Sequence, residues 1–316
     1  MDKNLALEFV RVTEAAAMAA AKWIGKGEKK KADQEAVTAM RSRFNVVDFA
    51  GTIVIGEGKK DEAPELYVGE KVGTASGPEM DIAVDPLECT DSVAWGRYNA
   101  LAVIATGPKG SLLSAPDTYM EKIAVGPRAK HVIDLDAPVK ENITQVAKAL
   151  GKDVGEITVS VLDRPRHENL IKEIRATGAR IRLITDGDVA TAIATCLPQN
   201  PIDMLLGSGG SAEGVLAAVA VKILGGTIHA RLQPRNDADR KEMEAMGLND
   251  KTIFTIEDLA RGDNLTFTAT GVIEGPLLPG VIFGTDSVLT HSVVMRSVSR
   301  TVRYIDAHHH INVDEG

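Results

Sequence analysis

ITVSVLDRPRHENLIKEIRATGARIRLITDGDVATAIA, residues 157–194, changes texture every few residues and always in the same order. ITVSVLD is β-branched and reads as a strand, a helix begins near His167, RIRLITD reads as a second strand, and Val189 opens a second helix. The pattern extends both ways. A helical segment from Asn142 to Leu150 precedes it, and a strand DMLLGS and a helix from Glu213 follow it. Such alternation is the signature of βαβ units and a mostly parallel sheet, whose ligands bind at the carboxyl ends of the strands.

The first half of the chain is written differently. Leu5, Phe9, Val12, Ala16 and Ala20 recur at helical spacing, a second amphipathic segment runs from Asp33 to Phe44, and the polar loop GKGEKKKAD (25–33) lies between them. GTIVIG (51–56), ELYVGE (65–70), MDIAVD (80–85) and NALAVIA (99–105) are short apolar runs bounded by Gly, Pro and Asp, which predicts strands. Few full helices separate them, so a mixed or antiparallel sheet with helices on one face is expected, an α+β pattern. NLTFTATGVI, SVVMRSV and TVRYIDA predict late strands, and HHHINVDEG a loose tail. The change of texture puts a boundary between 135 and 155, with an N-terminal α+β domain (1–145) and a C-terminal α/β domain (146–316).

At 316 residues the chain is long enough for two domains, and 44% hydrophobic with 25% charged residues is the usage of an ordinary globule. A net charge of -8 argues against a nucleic-acid partner, because phosphate backbones recruit clustered Lys and Arg. Glu8 and Glu14 interrupt the apolar pattern of the first helix, so neither a membrane span nor a signal peptide is expected. Two cysteines, Cys89 and Cys196, supply no disulfide framework and no metal-binding pair, which fits a reducing cytoplasm.

In MDIAVDPLECTDS (80–92) a strand runs into Asp85, Pro86 is expected to stop it, and Glu88 and Thr90 follow in a turn that enters a helix. Two carboxylates and a hydroxyl at one strand end suit a hard cation such as Mg²⁺ or Mn²⁺; the same residues also read as a proline turn with an acidic helix cap. Glu57 stands between two glycines straight after a strand, with Asp61 four residues on, either as a ligand or in an exposed hairpin. LLGSGGSAEGV (205–215) ends a strand in glycines before Glu213 opens a helix. It is a phosphate cradle or a dipole-capped helix start, and it matches neither the P-loop nor the dinucleotide fingerprint. Arg164 and Arg166 end one parallel strand and Asp186 and Asp188 the next, where they serve a phosphate and sugar hydroxyls or merely cap helices. His167 is the one histidine beside these motifs, so no histidine triad or zinc site is expected.

In their order, GEG (56–58), DIAVDPLE followed by Thr90, APDTYMEK (115–122), RPRH (164–167), DGDVA (186–190) and GSGGSAEGV resemble the class II fructose-1,6-bisphosphatases of the inositol-monophosphatase-like, metal-dependent phosphatase superfamily. The resemblance covers essentially the whole chain. It implies a layered αβαβα fold with two mixed sheets, Mn²⁺ or Mg²⁺, hydrolysis of the 1-phosphate of fructose 1,6-bisphosphate in gluconeogenesis, and a homodimer or homotetramer. It also implies Asp33, Glu57, Asp85, Glu88 and Glu213 as metal ligands, with Thr90, Lys29 and Asp61 in catalysis. Glu88, Thr90, Tyr119, Arg164, Pro165, Arg166, Asp186, Gly187, Asp188 and Gly210 would bind substrate. Cys89 departs from the family where glycine is usual, as do Lys59, Glu65, Asp91, Ser92 and Ala212 at their own positions. These departures leave room for a related sugar, sedoheptulose or inositol phosphatase, or for a catalytically weak sugar-phosphate-binding paralogue. A nicotinamide oxidoreductase is a more distant reading.

Overall fold

The computed structural model describes residues 5–58 and 65–310. In chain order its elements are α1 (Leu5–Ala21), α2 (Lys29–Phe44), β1 (Ala50–Ile55), β2 (Lys71–Val72), β3 (Glu79–Glu88), α3 (Thr90–Trp95), β4 (Ala100–Pro108), β5 (Tyr119–Val125) and α4 (Val139–Leu150). There follow β6 (Thr158–Leu162), α5 (Glu168–Thr177), β7 (Arg180–Ile184), α6 (Val189–Ala194), β8 (Met204–Gly210), α7 (Ser211–Ile223), β9 (Thr227–Gln233), α8 (Asp237–Ala245), α9 (Ile256–Leu259), β10 (Thr266–Ile273), β11 (Ile282–Phe283), β12 (Ser287–Arg296) and β13 (Thr301–His310). The fold is mixed α+β, with two mixed sheets.

The chain packs as two units, Met1–Leu112 with Gly262–Gly316, and Leu113–Arg261. The single boundary expected between 135 and 155 is therefore replaced by two. The cause is β10, which pairs antiparallel with β4 and carries the C-terminal strands back into the first sheet. Change of texture marks where a βαβ run begins; it does not register a later return.

In the first unit the strands run β11-β12-β10-β4-β3-β1-β2, with β13 added on β12. β1 and β3 are parallel, and the neighbouring pairs are antiparallel. Phe9 of α1 meets Phe44 of α2 and Phe49 edge-on, and Phe44 and Phe49 are tilted against each other, with ring centroids 5.3 to 6.4 Å apart, anchoring both helices on a core that includes Ile53, Ile82 and Ile104. Four details differ from the sequence reading. α2 starts at Lys29 rather than Asp33, since three helix-favouring lysines precede buried Ala32. ELYVGE is irregular, with Leu66 at φ 56°, because its backbone folds over the end of β1, where Glu57 N–H donates to Leu66 O at 3.0 Å. Pro86 does not stop β3. The strand continues to Glu88 through a bulge against β4, where the lack of an N–H on proline is tolerated. His308, His309 and His310 belong to β13 and pair with Leu289, Val288 and Ser287.

In the second unit the order is β7-β6-β8-β5-β9. β6 is parallel to both β7 and β8, while β5 runs antiparallel between β8 and β9. The carboxyl ends of β6, β7 and β8 therefore share one edge with the start of β5, and Tyr119 pairs with Gly210 and with Gln233 of β9, a strand that the sequence reading missed. Val159, Val161, Ile143, Val146, Ile171 and Ile174 form the core beneath this edge.

Candidate active site

At that edge of the second unit lies a cavity of about 320 Å³, lined by residues that include Asp117, Tyr119, Arg164, Arg166, Asp186, Gly187, Asp188, Gly210, Glu213 and Arg235. Arg166 comes from the turn after β6. Its Nε and Nη2 donate to Ser208 O at 3.1 and 2.7 Å, and its guanidinium carbon lies 4.4 Å from the centre of the Tyr119 ring. Arg164 Nη2 lies 3.4 Å from Asp186 Oδ1. Pro165 opens the tight turn Pro165–His167 that sets the two arginines and is not itself a lining residue.

His167 is buried as a clamp between strand ends. Ser208 N–H donates to Nε2 at 2.8 Å, so the ring proton sits on Nδ1 and faces Leu162 O at 2.7 Å. Burial, more than any other cause, lowers its pKa and keeps it neutral. It ties the end of β6 to β8 through Leu162 and Ser208.

The glycines of GSGG are required by close approach. A Cβ on Gly209 would stand 2.2 Å from Asp188 Oδ2, and one on Gly210 would stand 2.0 Å from Glu213 Oε2. Both carboxylates thus lie directly against the backbone of β8. Asp188 Oδ2 is 2.5 Å from Lys122 Nζ, which also donates to Gly210 O at 2.9 Å. Glu213 has its pKa raised, first by burial; Lys122 opposes the shift and Asp188 adds to it.

The first unit carries its own acids. Lys29 and Asp33 are one helical turn apart on α2, and Lys29 Nζ pairs with Asp91 Oδ1 at 2.9 Å. Thr90 Oγ1 donates to Leu87 O at 3.1 Å and is within hydrogen-bonding reach of Asp33. Burial raises the pKa of Asp33 against the opposing effect of Lys29. Glu57 is pushed up to about 8, by burial first and by the charge of Asp33 second. Its backbone N–H donates to Leu66 O at 3.0 Å, and a Cβ on Gly56 would fall 2.0 Å from the same oxygen, so the group that approaches this glycine is the chain's own carbonyl. At the β3 bulge, Leu87 N–H donates to Asp85 Oδ1 at 3.1 Å, and Glu88 is buried at 2% exposure. Cys89 follows at φ 72°, the left-handed conformation that favours glycine, with Asn99 Nδ2 donating to its Sγ at 3.7 Å. Asp61 and Lys59 lie outside the described residues.

The family model for bacterial fructose-1,6-bisphosphatase, glpX-encoded, matches residues 3–309. The chain belongs to the class 2 fructose-1,6-bisphosphatase family. Fructose-1,6-bisphosphatase 1 class 2 of Escherichia coli (strain K12) is 47% identical over 325 residues, covering 99% of this chain and 97% of the relative, and fructose-1,6-bisphosphatase class 2 of Shigella flexneri matches with the same figures. Among solved structures, an extragenic suppressor from Pyrococcus furiosus has TM-score 0.33 at 14% identity, covering 64% of this chain and 73% of its own. The suppressor protein suhB from Bartonella henselae has TM-score 0.34 at 13% identity, with 62% and 74% covered.

A class 2 fructose-1,6-bisphosphatase is a metal-dependent phosphatase, and the donor chemistry of the first unit fits a divalent ion. Its acids offer oxygen alone, and the charge of Asp33 adds to the cost of ionising Glu57, a burden that a bound cation lifts. Among the described residues, no three His, Cys, Asp or Glu side chains close on one point by themselves. No helix there is long and apolar enough to cross a membrane. The sequence reading missed three cavity-side groups. Lys122 has an inward-phase signal beside buried Met120; Asp117 and Arg235, joined by a salt bridge of 3.3 Å, are distant in sequence and left none.

Proposed function

We propose that this chain hydrolyses the 1-phosphate of fructose 1,6-bisphosphate, releasing fructose 6-phosphate and phosphate, and that its two units divide the work. Family membership supports the reaction and its place in gluconeogenesis. The observation that carries the division is that Tyr119, Arg164, Arg166, Asp186, Gly187, Asp188, Gly210 and Glu213 all line one cavity of the second unit. Asp33, Glu57, Asp85 and Glu88 in the first unit, and separately Glu213 in the second, are read as oxygen ligands for Mn²⁺ or Mg²⁺, which when bound would make water nucleophilic near neutral pH and neutralise charge on the leaving oxygen. The chain's own groups do the rest. Arg164 and Arg166 grip phosphate through charge-assisted hydrogen bonds, and Asp186 and Asp188 accept from sugar hydroxyls. Thr90 passes a water proton toward Asp33, and Lys29 and Asp61 are read as serving the same step. Water attacks phosphorus in line as the bond to the sugar oxygen breaks, and that oxygen takes up a proton. A cytoplasmic homodimer or homotetramer goes with this reading.

The test is phosphate release from fructose 1,6-bisphosphate by protein stripped of metal and then given Mn²⁺ or Mg²⁺. Restored release is expected, with Asp85→Ala about 10³-fold slower or worse, the equivalent of losing several kcal/mol of charge stabilisation. No release with either ion from folded protein would sink the assignment and turn attention to sedoheptulose and inositol phosphates.

A further inference from the structure

Lys122 takes no part in the roles assigned above. Its side chain is 2% exposed on β5, where its neighbours in register are Gly207 and Ala230, and an ammonium buried so completely is costly unless it is paired. The fold has made space for it. A Cβ on Gly209 would stand 3.0 Å from Lys122 Nζ, and one on Gly214 would stand 3.4 Å from Lys122 Cδ. Its partners, Asp188 Oδ2 at 2.5 Å and Gly210 O at 2.9 Å, belong to residues that line the cavity, whereas Lys122 itself lies behind that wall.

We propose that Lys122 is the fixed internal cation of this wall, a positioning residue that holds Asp188 and Gly210 toward the substrate and offsets the negative charge of Asp188 and Glu213, so that the cavity accepts an anionic sugar phosphate before any metal is bound. The inference rests on the bisphosphatase reading for the identity of that anion. A salt bridge that served packing alone could be replaced by apolar side chains at little cost. Here the paired carboxylate faces the cavity, so the pair sets both the geometry and the charge of the surface that the ligand meets.

The experiment compares wild type with Lys122→Met, Lys122→Gln and Lys122→Arg, each checked for folding by circular dichroism. Fructose 6-phosphate binding is measured by calorimetry in EDTA, and KM and the half-activating Mn²⁺ concentration by phosphate release. Wild type is expected to bind fructose 6-phosphate in EDTA. Met and Gln are expected to weaken that binding and raise KM about 10- to 100-fold, the range for losing a group that orients ligands from behind. Half-activating Mn²⁺ should stay level or fall, because removing a positive charge favours cations as it disfavours anions, and Arg should bind the sugar phosphate better than Met. Should Met not fold, Gln, which keeps a donor for Gly210 O, carries the same comparison. Wild type that fails to bind in EDTA, neutral variants that bind normally, or a parallel rise in KM and half-activating Mn²⁺ would each overturn the proposal. The calorimetric arm needs no turnover, so a failed bisphosphatase assignment is distinguishable from a failed role for Lys122.

Discussion

In the first unit the charge of Asp33 raises the pKa of Glu57, and in the second that of Asp188 raises the pKa of Glu213, yet the chain surrounds the two pairs differently. In the second unit Lys122 lies 2.5 Å from Asp188 and is as buried as its partner. In the first, the ammonium that opposes the rise at Asp33 belongs to Lys29, which is 55% exposed and bonded to Asp91. Burial there keeps Glu57 up near 8. One pair has its cation built into a strand, where low dielectric makes the attraction count; the other faces a cation that water screens. The second pair is thus suited to hold its shape by itself, and the first to gain from an ion or a proton supplied from outside.

The sharpest way to break this contrast is through pH. Glu57 has its pKa raised from 4.5 to about 8, so between those values the folded state keeps a proton that the unfolded chain has lost. Stability from this group is therefore full below the lower value and is lost as pH climbs through the higher one. Protein in EDTA is expected to lose stability across that window at up to about 1.4 kcal/mol per pH unit, measured by urea unfolding. Mn²⁺ should flatten the slope, and so should Glu57→Gln, which mimics the protonated acid. A slope unchanged in Glu57→Gln would mean that the first pair does not behave as described.

The close packing of the second pair gives a smaller effect of a different kind. Gly210→Ala drives a methyl to 2.0 Å from Glu213 Oε2, and overpacking of this sort costs about 1–3 kcal/mol. The loss should appear in urea unfolding together with a raised KM. Gly155→Ala is the control: its nearest neighbour is 3.8 Å away, and a change within about 0.5 kcal/mol is expected. Equal costs at the two sites would show that Glu213 moves aside freely, and the second pair would then be no more rigid than the first.

Residues 157–194 revealed their strands and helices in the sequence because neighbours in sequence are neighbours in the βαβ unit, so local pattern and tertiary contact agree there. The first unit hid more. The bulge that carries Pro86 through β3 depends on how β4 lies against it, and the irregular path of ELYVGE depends on Leu66 closing over β1. The return of β10 to β4 joins segments about 160 residues apart, beyond any periodicity. The cavity-lining residues were legible as strand-end motifs. Lys122 was not, since a lysine next to Glu121 reads as a solvated charge unless the inward phase shared with Met120 is followed through the strand.

Cys89 tests the comparison most finely, because it sits in the first unit at a left-handed backbone position between Glu88 and Thr90. At φ 72° a side chain costs about 1–2 kcal/mol relative to glycine. Against that relief, Cys89→Gly gives up a buried thiol in contact with Asn99, and glycine adds roughly 0.5–1 kcal/mol of backbone entropy to the unfolded chain. The opposing amounts nearly cancel, so Cys89→Gly is expected to shift stability by less than about 1 kcal/mol in urea unfolding. The catalytic readout does not share that cancellation, since removing a Cβ between Glu88 and Thr90 frees the backbone beside one residue assigned to the metal and one assigned to the attacking water. A modest rise in kcat at unchanged stability would mean that the cysteine narrows a working cradle. Unchanged kcat would remove the ground for reading this chain as a weakened paralogue, and would leave the bulge at Pro86 as the feature that sets the geometry of Asp85 and Glu88.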